Sequence, residues 1–272
     1  MRDKYFLKTG EEKIFSWIPL LSYYSQTRGW SFVLSWLHRL TGLGIILFIW
    51  FHLYTLQDLL SPSIYDSKMR FYSLPFLRFC EWLLSLPVFF HALNGGRLIL
   101  YESFRFRDDE GLIRWTIGLV VLLSGLLAIL MILSNQEVSA LFFWMMNLAL
   151  AMVLIVGGGM RIWRTENNLT WKFQRLSSIF MLVMIPAHFF FMHLNTVAAK
   201  ESSLVILRMG NPFIKIIDAS LVIAVFYHAG FGLISLTKDY TSQTSLHKMA
   251  TLLVITVMGF FSLIGIRLIL AI

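Results

Sequence analysis

Seven apolar runs set what this chain can fold into: 32–57, 74–101, 113–134, 138–163, 173–196, 213–237 and 247–271. Each is near the roughly 20 residues a helix needs to cross the hydrocarbon of a bilayer. Only Ser134 to Glu137 separates the third run from the fourth. Merged, they would be too long for a single crossing, so they predict a tight helical hairpin. The expected fold is all-α, an integral membrane bundle of about seven transmembrane helices. Composition agrees, with 57% apolar and 14% charged residues where soluble domains carry about 25% charged. This excludes a cytosolic enzyme and a disordered chain.

The formal net charge of +8 would suggest nucleic acid in a soluble protein, but here the basic residues flank apolar runs. With the N-terminus inside, fifteen Lys and Arg fall on inner segments and seven on outer ones, Arg39 lying within the first run. The positive-inside rule therefore puts the N-terminus in and the C-terminus out. Cys80 is the sole cysteine, which excludes an intramolecular disulfide, a Cys-ligated zinc and an iron–sulfur cluster held by this chain. Residues 1–30 lack the basic-then-apolar order of a cleavable signal. The patch Ile14 to Leu21 reads as an interfacial or partner-docking segment.

An internal repeat organises the polar residues. SWLHRLTGLGIILFIWFHLY carries Arg39 and, thirteen residues on, His52; WKFQRLSSIFMLVMIPAHFF carries Arg175 and, thirteen on, His188. His91 follows His52 by 39 residues and His228 follows His188 by 40, and each is trailed at four residues by a glycine, Gly95 and Gly232. The expected organisation is two parallel three-helix repeats, 31–134 and 166–272, joined by a linker helix, 135–165. An odd number of crossings ends on the wrong side to restart in the same orientation, and the linker brings the chain back.

The four histidines then fall at two depths. His91 and His228 lie about 15 Å below the inner surface at 1.5 Å per residue, and His52 and His188 lie in the outer half. Buried imidazoles in a membrane serve proton relay or metal ligation. Two are too few for zinc, whereas haem needs only two axial ligands. The pairs read as two bis-histidine b haems, with Gly95, Gly96, Gly230 and Gly232 leaving room for a flat macrocycle or for close helix packing. His193, five residues after His188, competes for the ligand role; the repeat favours His188. His247 sits at an inner interface.

At these residues the chain resembles the cytochrome b membrane anchors of succinate:quinone oxidoreductases, the succinate dehydrogenase and fumarate reductase family. Ser35-x-x-His38-Arg39-x-Thr41-Gly42 looks like the signature opening the first helix of the large anchor, His91-x3-Gly95-x-Arg97 its haem-ligand helix, and His228-Ala229-x2-Gly232-x6-Asp239-Tyr240 the corresponding helix of the small anchor. The resemblance implies a fusion of both anchors in one chain of a bacterial or archaeal cytoplasmic membrane. It further implies haem iron ligated by His91 and His228, a second haem at His52 and His188, and quinone bound by Ser35, Arg39 and Tyr240. Flavoprotein and iron–sulfur partner subunits would dock on the cytoplasmic face and carry the dicarboxylate chemistry, in either direction. Seven spans depart from the family's usual three or five, and Gln174-Arg175 and Ser177-Ser178 replace the first half's H-R-x-T-G. Arg175 is then a candidate partner for a haem propionate or a lipid phosphate. An outer quinone site stays open, with Glu81 a candidate proton carrier there or an acid reaching Arg78 one turn away. The rival readings are the di-haem anchor of another dehydrogenase and, from a different class, a repeat-built transporter. Scarce intramembrane carboxylates weigh against the transporter.

Overall fold

The computed structural model describes residues 19–106, 108–133, 139–194, 199–241 and 243–272. Of the docking patch at Ile14 to Leu21, positions 14–18 lie outside the described residues, as do Ser134 to Glu137 of the hairpin. The described residues are helical almost throughout: α1 (Pro19–Arg28), α2 (Trp30–Leu56), α3 (Pro62–Tyr72), α4 (Pro75–Phe104), α5 (Asp109–Leu133), α6 (Ala140–Trp163), α7 (Leu169–Leu194), α8 (Ser202–Met209), α9 (Pro212–Tyr240) and α10 (Thr244–Ala271). Seven of these, α2, α4, α5, α6, α7, α9 and α10, are long and apolar enough to cross a membrane. Their outward faces are hydrocarbon, with Ile132 80% exposed and Leu270 73%, as a surface solvated by lipid tails requires.

Local chemistry explains the boundaries. Gly29, at φ 84°, breaks α1 from α2 in a conformation that suits glycine. Prolines open α3, α4 and α9, where the missing N–H has no helical acceptor to lose. Asn168 Oδ1 accepts from Trp171 N and Asn211 Oδ1 from Phe213 N, both at 2.9 Å, capping the starts of α7 and α9. α4 and α9 run slightly past their apolar stretches, to Phe104 and Tyr240. Their last turns therefore carry Glu102, Asp239 and Tyr240 on helix rather than loop.

We call the end of the bundle where α2 begins proximal and the opposite end distal. α4 packs against α2, α5 and α7, and α7 against α6 and α9, with α10 on α9 and α2. The largest buried apolar cluster, including Trp144, Met184, Ala187, Phe191, Ile214 and Ile217, is toward the distal end. The two short helices α3 and α8 pack together there. Asp66 on α3 accepts from Ser202 N at 2.9 Å and from Ser202 Oγ at 3.0 Å, capping the start of α8. Tyr65 Oη donates to Ala199 O at 3.4 Å, and burial pushes its hydroxyl up to about 12, so it remains a donor.

Candidate functional site

α2, α4 and α9 bring three imidazoles together toward the proximal end. The His91 ring lies 6.1 Å from that of His228 between centroids, with the planes at 81°. His38 stacks on His91 at 3.9 Å and 6°. His91 Nδ1 is 3.0 Å from His38 O and 3.4 Å from Thr41 Oγ1. His228 Nδ1 is 3.0 Å from the Gln174 amide and 3.1 Å from Ser178 Oγ. Gln174 stands 136 positions after His38, and each touches the histidine of its partner helix.

The second pair lies farther along α2 and α7. His52 and His188 rings are 6.2 Å apart between centroids with planes at 83°, and Trp144 of α6 approaches His188 at 6.4 Å. His188 Nδ1 is buried without a hydrogen-bond partner, as is His38 Nδ1. His193 turns elsewhere: its Nε2 is 3.7 Å from Glu81 Oε1, and Lys200 Nζ is 3.7 Å from Glu81 Oε2. The pairing of Glu81 with Arg78 is not what forms, because Arg78 Nη2 reaches across to Met131 O on α5 at 2.9 Å.

At the proximal end of α2, Arg39 Nη2 donates to Asp239 Oδ2 at 2.8 Å and Nη1 to Tyr240 Oη at 3.1 Å. Its guanidinium carbon lies 5.8 Å from the Trp36 ring centre. The corner is open, with Trp36 41% and Tyr240 59% exposed. Ser35 is exposed one turn before Arg39 on the same helix. Arg175 has a similar corner: Nη2 donates to Glu102 Oε2 at 2.5 Å and the guanidinium carbon sits 4.9 Å from the Trp171 ring centre. Glu102 thus holds the cation that the sequence offers to a propionate or phosphate. Beside it Ser103 is buried, and its carbonyl accepts from Arg161 Nε of α6 at 2.9 Å. A third polar knot ties α2, α4 and α5: buried Arg97 donates to Asn94 Oδ1 at 2.8 Å and to Asp109, which also accepts from Ser31 Oγ.

The glycines divide. A Cβ on Gly95 would touch His38 Cε1 at 3.6 Å, one on Gly96 would press Leu182 at 3.2 Å, one on Gly230 would meet Met258 at 3.5 Å, and Gly232 faces open space. Gly42 has the tightest approach to the histidines: a Cβ there would stand 2.9 Å from His91 Cε1. His38, Asp239, Gln174 and Ser178 are the site neighbours to which sequence reasoning assigned no role.

The family described as succinate dehydrogenase/fumarate reductase transmembrane subunit matches twice, over residues 21–131 and 159–266. The chain belongs to this family. Among curated members it is 36% identical over 96 residues to the succinate dehydrogenase 2 membrane subunit SdhC of Mycobacterium tuberculosis, covering 33% of this chain and 68% of the relative. It is 28% identical over 92 residues to the succinate dehydrogenase hydrophobic membrane anchor subunit of Archaeoglobus fulgidus, covering 34% of this chain and 77% of the relative. No solved structure matches significantly. As a family member built as a helical membrane bundle, the chain has the general role of a membrane anchor in an electron-transferring complex.

Proposed function

We propose that the chain is a di-haem cytochrome b anchor that passes electrons between an iron–sulfur partner subunit and membrane quinone. The observation that carries this reading is the spacing of the two histidine pairs. Two imidazoles that held one iron between them, each through a metal–nitrogen bond of about 2 Å, would have ring centres roughly 6 Å apart. The pairs stand at 6.1 and 6.2 Å. Among the described residues no group of three or more His, Cys, Asp or Glu could hold a bare metal ion, and a haem asks for only two protein ligands. His91 and His228 would hold the proximal haem, His52 and His188 the distal one; a haem supplies a one-electron couple at each level.

The remaining assignments follow from the same reading. Repeats 31–134 and 166–272, with 135–165 as linker, are supported by the double family match and by the paired contacts of His38 with His91 and Gln174 with His228. The N-terminus is in and the C-terminus out, which puts the proximal end at the cytoplasm beside flavoprotein and iron–sulfur subunits. Succinate oxidation there would release two electrons and two protons, and quinone would take up two of each. Arg39 and Tyr240, with Ser35 a turn away, supply hydrogen-bond donors for quinone oxygens and for the charge of a reduced intermediate. The same residues serve fumarate reduction in reverse.

The test is a reduced-minus-oxidised spectrum with a haem count on the purified complex. Two b-type haems per chain are expected. A count of one defeats the two-haem reading, and no b-type signal defeats the cytochrome reading altogether.

A further inference from the structure

Hydrogen accounting around the proximal histidines decides where their ring protons sit. A hydroxyl has one hydrogen to give. Ser178 Oγ gives its own to Gln174 O at 2.7 Å, one turn back. In its 3.1 Å contact with His228 Nδ1 the hydroxyl must therefore accept, and Nδ1 must carry the proton. Thr41 Oγ1 is likewise engaged, with Leu37 O at 2.7 Å and His38 O at 3.1 Å. Towards His91 Nδ1 it too only accepts, and His38 O, 3.0 Å from that nitrogen, has no hydrogen at all. Both rings hold Nδ1–H and keep a bare Nε2.

The Gln174 amide follows. It is buried, 3.0 Å from His228 Nδ1. A half-turn exchanges amide oxygen and nitrogen, and a proton on Nδ1 requires the oxygen there. That orientation gives Gln174 Oε1 a donor and turns the amide nitrogen to the buried position that the oxygen leaves.

We propose that Ser178 and Gln174 are positioning residues for His228, and Thr41 with the His38 carbonyl for His91, locking the tautomer whose bare Nε2 would hold the iron of a proximal haem. This rests on the haem reading above. Donation from Nδ1–H to neutral acceptors raises the basicity of the ligating nitrogen. The ferric state gains from that, and the midpoint potential falls. The two ligands are held unequally. His228 has two side-chain acceptors, whereas His91 has a backbone carbonyl that substitution leaves in place. The potential is therefore most open to change from the His228 side.

The experiment uses the intact complex with Ser178→Ala, Ser178→Thr and Gln174→Leu, read by redox titration of each haem and by electron paramagnetic resonance of the ferric haems. The distal haem is identified as the one lost in His188→Ala. Ser178→Ala should move the proximal midpoint to higher potential and leave the distal haem unmoved. Gln174→Leu should move it the same way, and Ser178→Thr should restore it. Loss of the proximal haem in Ser178→Ala with its return in Ser178→Thr also supports the proposal. Haems that are retained with unchanged midpoints and spectra in Ser178→Ala and Gln174→Leu overturn the inference alone. So does loss of the haem from Ser178→Ala and Ser178→Thr alike, with no shift in Gln174→Leu. A wild-type complex without b-type haem overturns the haem reading and the inference with it.

Discussion

Arg39 and Tyr240, 201 positions apart in sequence, meet at the open proximal end of the bundle, the guanidinium donating to the phenol oxygen at 3.1 Å. Asp239 takes the other arm of the same arginine, so the charge is fixed in place while the phenol hydrogen stays available. Tyr240→Phe keeps the ring and removes that hydrogen. It should slow quinone reduction by about 10- to 100-fold, the equivalent of one hydrogen bond to a charged or developing-charge group, with both haems retained. Arg39→Ala should cost at least as much. Steady-state quinone reduction beside a haem count checks both. Unchanged turnover in the two variants would move the quinone site to the distal end.

Arg175 makes the discriminating comparison. It has its own carboxylate, Glu102, and its own indole, Trp171, yet the position after Glu102, where the Arg39 corner has Tyr240 after Asp239, is a buried serine whose carbonyl is bonded to Arg161 of α6. The Arg175 side chain is 21% exposed against 35% for Arg39, and α6 is tied to this corner through Arg161. Arg175→Ala should leave the KM for quinone near wild type. Loss of the partly exposed ion pair should lower stability by at most about 1 kcal/mol. A loss of quinone reduction matching that of Arg39→Ala would mean that both corners handle quinone.

His188 and His193 are both buried or nearly so on α7, and their neighbours separate them. His188 faces His52 at 6.2 Å, whereas His193 faces Glu81. His188→Ala and His52→Ala should each remove one haem of two and leave the other's spectrum intact. His193→Ala should retain both. Pyridine haemochrome counts on the three variants decide the matter, and a haem lost from His193→Ala would reassign the distal ligand.

The seven spans and the two histidine levels were legible because both are properties of one helix at a time: run length, and the depth that 1.5 Å per residue assigns. Arg39 and Tyr240 came with the signature residues around them. What spacing along a helix leaves open is helix rotation, and with it every contact between helices. His38 was only a motif letter until α2 and α4 packed and laid it on His91. Ser178 looked like a departure from a glycine, although at that position the second half sets a hydroxyl against His228 where the first half sets bare backbone against His91. Arg78 is one turn from Glu81 in sequence, but the nearer bond is across the interface to Met131 O.

Gly42 gives the sharpest steric test of the proximal site. A methyl carbon there would lie 2.9 Å from His91 Cε1 and 3.4 Å from Nδ1, closer than side chains tolerate without moving. The ring has little freedom to retreat: His38 is stacked on it at 3.9 Å and its Nδ1 is bonded to His38 O. Gly44, two residues on in the same helix, would meet nothing within 4 Å. Alanine is favoured over glycine in a helix by roughly 0.5–1 kcal/mol, so Gly44→Ala should be neutral or mildly stabilising with both haems intact. Gly42→Ala has the same helix gain but must displace the His91 ring by several tenths of an ångström. It should lose the proximal haem or shift its spectrum and midpoint, leaving the distal haem as in wild type. Visible spectra and redox titration of the two variants side by side check this. A Gly42→Ala protein with two unperturbed haems would show that α2 has slack against α4, and that the glycine is not what seats His91.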